Sequence, residues 1–249
     1  MSQSHSLRLL LAGSLLLWLA LPSAAQPPAL PPDYPQSLEK DLKSLLDAKA
    51  QESTDPKVLL QLAGLYLDIG EELYTEKPKK LAAFDEGARL AKRAIELDDK
   101  NAEAHYLYAA NLGSAAATKG IAASLIALDD IKTHAKRTLE LQKDHVAALH
   151  MAGMMLEELP QFLGGNQAVA LDYLKKAVSV DPNYSHARLD LAKMYIKRRD
   201  PESAKRELQA ILAMERPSDA YAWARRFRPE AEKLLATLKP GESVGANGK

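Results

Sequence analysis

Residues 174–192 read LKKAVSVDPNYSHARLDLA, and the same phrase occurs twice upstream, as AKRTLELQKDHVAALHMAG at 135–153 and AKRAIELDDKNAEAHYLYA at 91–109. Each copy holds the end of one amphipathic helix, a polar turn and the beginning of the next helix. A unit of this kind cannot bury its apolar face alone, so the copies predict hairpins stacked on their neighbours into a solenoid. Function in such an array resides in a groove and not in a single catalytic centre.

Where the small residues fall sets the register, because antiparallel helices approach closely only over short side chains. Ala63, Ala109, Gly153 and Ala192 occupy equivalent places in four first helices. In the second helices, Gly87, Ile131, Ala170 and Ala204 form one row, and Ala94, Thr138, Ala177 and Ile211 another. The last row is spaced by 44, 39 and 34 residues, so the core phrase is kept while the connecting segments vary in length.

Composition narrows the function classes. The chain is 47% hydrophobic and 27% charged, which is normal for a folded domain. Its 33 basic residues balance 33 acidic ones, so no general attraction to nucleic acid or to an anionic membrane follows. Aromatic residues are too few, and too little interleaved with positive charge, to form base-stacking platforms. Cysteine is absent, which excludes disulfides, thiolate metal sites, thiol nucleophiles and a lipoprotein anchor.

At the N-terminus, Arg8, an apolar run from Leu9 to Leu21 and the small residues Ser23 and Ala25 predict a secretory signal cleaved after Ala25. The run is too short to span a ~30 Å hydrocarbon core, so no integral membrane span is expected after cleavage, the alternative being an uncleaved membrane anchor. This gives 1–25 as signal peptide and 26–36 as a proline-rich linker. A capping helix is expected over 37–50, the repeat domain over 51–217, a second capping helix over 218–238 and a flexible tail over 239–249. A periplasmic or secreted protein is expected.

Leu191, Ala192, Tyr195, Ala204 and Leu208, with the closing Asp181-Pro182, resemble the tetratricopeptide repeat family, and Leu62-Ala63-Gly64-Leu65-Tyr66 repeats its first-helix portion. The family's tryptophan is missing from every unit, and Asp99 and Lys143 stand where two closing prolines would be. The fold expected is all-α, a tetratricopeptide-like helical-hairpin solenoid of about four repeats with a capping helix at each end. Lys119-Gly120-Ile121, the run Ile131 to Arg137, Leu149 to Gly153, and Leu159 to Gly165 are similar to two narrower groups. One is the T component of tripartite ATP-independent periplasmic (TRAP) transporters; the other is the eukaryotic regulator of microtubule dynamics family. Resemblance to the first implies a periplasmic helical protein able to oligomerise, with an apolar cavity and a solute-binding partner protein.

Projection of the inward stripe of the first helices selects Leu60, Gly64, Tyr106, Ala110, His150, Met154, Leu189 and Lys193 as groove residues. That stripe is apolar and lacks the cationic clamp that an acidic peptide terminus requires, with only Lys193 and Lys197 fitting. Two occupants follow: a hydrophobic small molecule held on Met154 and Tyr106, or protein packed on the same face. A generic adaptor binding a protein of the cell envelope is the competing function.

No catalytic, cofactor-binding or metal-binding residues are assigned, and no enzyme is expected. His145 and His150 are five apart and diverge on one helix, while His105, His134 and His186 fall in different units, so structural roles are assigned to them. Leu163-Gly164-Gly165-Asn166 reads as a turn, since it lacks the rest of a phosphate-binding loop. Glu157-Glu158 and Asp129-Asp130 read as solvated faces. The basic group Lys197, Arg198, Arg199, Lys205 and Arg206 reads as a helix-end complement.

Overall fold

A computed structural model describes residues 32–238. The predicted signal peptide 1–25, the first part of the linker and the tail 239–249 lie outside the described residues. The described residues are helical throughout, without strands. Helix α1 (Ser37–Asp47) precedes four hairpins. These are α2 (Pro56–Asp68) with α3 (Lys77–Leu97), α4 (Ala102–Lys119) with α5 (Ile121–Leu141), α6 (Val146–Glu158) with α7 (Gln167–Val180), and α8 (Ser185–Lys197) with α9 (Pro201–Leu212). A C-terminal segment follows: α10 (Ala220–Ala222), a π-helical turn (Trp223–Phe227) and α11 (Arg228–Thr237).

Local chemistry explains most of the boundaries. Asp55, Asn101, His145, Asn166 and Asp200 each accept a backbone N–H of the first turn that follows, which satisfies donors that would otherwise have no partner. Proline stands near the start of α2, α3 and α9, where its missing N–H costs nothing. The paired helices α4 and α5 are joined by Gly120 alone, whose φ of 120° lies in a region that side-chain-bearing residues rarely adopt.

The small-residue rows lie at the helix crossings. Ala63, Ala109, Ala192, Ala170, Ala204, Ala94, Thr138, Ala177 and Ile211 are fully buried. At Gly87 the approach is closest, for a Cβ there would sit 2.2 Å from Asn111 Oδ1 of the next first helix. Asn111 is itself fully buried and donates to Ala63 O and Leu107 O, tying two repeats together. Leu59, Leu62, Phe84, Leu90 and Leu107 fill the N-terminal half of the core, and Leu189, Leu208, Ile211 and Phe227 the C-terminal half.

The proline-rich tether expected over 26–36 ends sooner than its composition suggests. Pro35 is buried, and the Tyr34 ring lies edge-on to Tyr221 with centroids 4.7 Å apart. Ring packing onto the folded array prevails over the extended preference of the prolines. Glu157 departs from its expected solvated position: it is buried, and Lys197 and Arg198 donate to its two oxygens at 2.8 and 2.9 Å. Burial raises its pKa, but these two cations outweigh burial and hold it below the ordinary carboxylate range. The basic group is consumed within the fold to that extent. The glycine-bearing turn does end a helix, with Gly164 at φ 92° and Asn166 N–H bonded to Leu156 O.

Candidate functional site

The array closes on itself. Its first helices face inward, and the C-terminal segment returns across the concave side so that Arg226 reaches Glu72 at 2.5 Å. This pair and the contact between Tyr34 and Tyr221 lie at the rim of a half-open cavity of about 700 Å³.

One wall is apolar, formed by Leu128 and Ile131 of α5 with Met151, Met154 and Met155 of α6. The thioethers make it adaptable in shape. The same cavity is also lined by Asp68, Glu71 and Glu72. They are brought together by a π-helical turn, Ile69–Leu73, that continues α2. Asp68 keeps its exposure to the cavity, yet desolvation by the surrounding protein, reinforced by Glu71 and Glu72, pushes its carboxyl up to about 7. Glu71 and Glu72 are raised by burial as well, partly offset by Arg226. Glu158 at the end of α6 is raised by burial and by the charge of Asp190.

Tyr106, Tyr184, His150, His186, Asp219 and Phe227 complete the lining. His150 Nε2 lies 2.8 Å from Asp190 Oδ2, and His186 Nε2 approaches the same oxygen at 3.6 Å. The His186 ring is stacked on Phe227 at 4.6 Å. Burial and the neighbouring His150 lower the His186 pKa to about 3, so this imidazole is neutral at ordinary pH. Asp219 works on the backbone: it accepts from Ser185 N–H, the Ser185 hydroxyl and His186 N–H, capping α8 from the C-terminal segment.

Of the predicted groove residues, Tyr106, Ala110, His150 and Met154 line this cavity together. Leu60 and Gly64 line a separate shallow groove beneath α1. Leu189 is a core residue, 1% exposed, and Lys193 is on the surface in ion pairs with Asp190 and Glu230. The cavity lining thus combines the apolar residues expected with charged ones, Asp68, Glu71, Glu72, Glu158 and Arg226. The stripe was projected only as far as Gly64 on α2, and its continuation at i+4, i+7 and i+8 brings Asp68, Glu71 and Glu72 to the cavity. Elsewhere the histidines are structural: His145 caps α6 and contacts Glu103 at 3.0 Å, and His105 Nδ1 lies 2.8 Å from His134 Nδ1.

Stacked hairpins of this register have the tetratricopeptide-like helical fold. Residues 164–225 match the family model described as tetratricopeptide repeat. Residues 33–156 match the one described as Regulator of microtubule dynamics protein 1-3. The chain is similar to regulator of microtubule dynamics protein 1 of Bos taurus, 29% identical over 163 residues, covering 59% of this chain and 51% of that one. The Homo sapiens protein of the same name is 30% identical over 139 residues, covering 49% and 44%. The chain therefore spans about half the length of the curated relatives it matches. A thermophilic TPR protein of Thermus thermophilus shares the fold, with a TM-score of 0.58, 14% identity, and coverage of 82% of this chain and 91% of that one.

These relatives correct the expected location. The curated proteins matched are animal proteins named for microtubule dynamics, so a periplasmic or secreted placement is withdrawn. Their name is that of the regulator family and not that of a TRAP-transporter component. Among the described residues, no helix is long and apolar enough to cross a membrane.

Proposed function

We propose that this is a non-enzymatic binding and scaffold protein that acts through its central cavity, taking an apolar chain that ends in a cationic or hydrogen-bond-donating group. The tetratricopeptide fold provides the scaffold that mediates protein interactions, and the cavity is the place where binding is selective. The observation that carries the reading is that Met151, Met154 and Met155 and the carboxylates Asp68, Glu71 and Glu72 line one cavity of about 700 Å³. Ligand pockets of this size combine an apolar body with a few convergent polar groups. An apolar chain on the methionines would leave its polar end at the carboxylates, where a cation offsets the cost of burying them. An acidic ligand end would meet repulsion there.

Native mass spectrometry of the purified protein, before and after solvent extraction, tests the reading. A bound apolar species that rebinds stoichiometrically after extraction is expected. An empty cavity that takes up no alkyl amine on titration overturns it and leaves the generic adaptor, which binds protein on its outer faces.

A further inference from the structure

We propose that His150, His186 and Asp190 form a binding site for a divalent zinc-class ion, with a coordination position open to the central cavity. This holds whatever the cavity's other occupant. The three ligand atoms lie within 4.8 Å of one another. Two imidazole nitrogens converge on a single carboxylate oxygen, at 2.8 and 3.6 Å. In a tetrahedral zinc site with bonds of about 2.0–2.1 Å, neighbouring ligand atoms are about 3.3 Å apart. These two separations bracket that edge length and the third lies within 4.8 Å, so an ion is accommodated by drawing the side chains together.

The elements fix this convergence. His186 and Asp190 are four apart on α8 and therefore share a helix face, while His150 is brought to them by the preceding hairpin. His150 and Asp190 are buried, so the set is not a chance surface cluster. Each ligand is also held from behind: His186 by stacking on Phe227, His150 by the Tyr184 ring edge-on at 5.7 Å, and the second Asp190 oxygen by Lys193 at 3.5 Å. Orientation of ligands by their neighbours is a regular part of metal sites. Two imidazoles and one carboxylate are a recognised donor set for zinc that leaves one position free. His150 and His186 both line the cavity, so that position faces its interior. Glu158, on the same wall, adds negative charge that favours a cation.

The test is a titration of the full chain, stripped with chelator, with Zn²⁺ by calorimetry and with Co²⁺ by absorption spectroscopy. One ion per chain is expected, with a tetrahedral cobalt spectrum and a melting temperature raised by zinc. His186→Ala, which removes a half-exposed ring, should weaken binding at least 10-fold, and Asp190→Asn should do the same if the first variant folds poorly. The pair His105→Ala with His134→Ala should leave affinity unchanged. Absence of binding, or affinity that survives His186→Ala and Asp190→Asn, overturns the proposal. So does affinity lost only with His105 and His134.

Discussion

Arg226 and Glu72, 154 residues apart, form an ion pair at 2.5 Å, and each is supplied by a π-helical turn. The wider turn, Ile69–Leu73 on one side and Trp223–Phe227 on the other, carries the charged residue toward the cavity at both ends of the array. The closure is local and modest in energy, since Arg226 is half-exposed and such pairs contribute about 1 kcal/mol at most. Arg226→Ala should therefore speed amide exchange in residues 220–227 by about five-fold, the equivalent of 1 kcal/mol. Exchange in the core of α3 should not change. A uniform rise along the whole chain in hydrogen-exchange mass spectrometry would show that the pair supports the global fold instead.

Acid should strengthen the molecule before it weakens it. Asp68, raised to about 7, and Glu71 and Glu72, also raised, bind more protons in the folded than in the unfolded chain between about pH 4 and 7. Unfolding free energy from this cluster accordingly falls as pH rises through that window. Solvent in the cavity screens these groups, so the effect is on the order of 1 kcal/mol. Asp68→Asn should raise the melting temperature at pH 8 and flatten its pH dependence between 5 and 8. A wild-type melting temperature that climbs steadily from pH 5 to 8, with Asp68→Asn without effect, would contradict the assignment.

Asp219 satisfies the N-terminus of α8 from a different segment, so its loss should be felt at two places. Asp219→Ala should cost about 1–2 kcal/mol, the range of a lost helix cap. Asp219→Asn, which keeps an acceptor, should recover part of that loss in thermal denaturation. Protease cleavage near residues 213–219 should increase in the alanine variant.

Gly87 and Asn111 form a closely fitted pair across neighbouring repeats. Gly87→Ala places a methyl group 2.2 Å from the buried amide and should destabilise by about 1–3 kcal/mol. In an Asn111→Ala background the same change should cost clearly less, which a double-mutant cycle by urea denaturation measures. Equal costs in the two backgrounds would mean the backbones are farther apart than described.

The repeat register was legible because its determinants are local: Ala63, Ala109, Gly153 and Ala192 recur within helical-period segments, as stacked hairpins require. The site was legible in part. Tyr106, Ala110, His150 and Met154 face inward from the first helices, as the stripe requires. Asp68, Glu71 and Glu72 continue the Leu60–Gly64 stripe at helical spacing and could have been read from it, whereas Arg226 is placed by the return of the chain end. His186 and Asp190 did carry a signal, their four-residue spacing, and His150 lies 36 residues before His186, about one repeat. That relation marks spatial neighbours in a solenoid and could have joined the three. Phe227 and Asp219 are placed by closure of the chain end, which no repeat pattern encodes.

Binding of paired probes tests the central claim most directly. A fluorescent long-chain alkyl amine and the matching alkyl carboxylate would be titrated into wild type, Asp68→Asn with Glu72→Gln, and Ala110→Trp. The account predicts one amine bound per chain at pH 8, at least 10-fold tighter than the carboxylate, weakened in the charge variant and abolished where tryptophan fills the cavity. Equal binding of amine and carboxylate, or amine binding that survives Ala110→Trp in a folded protein, would contradict it.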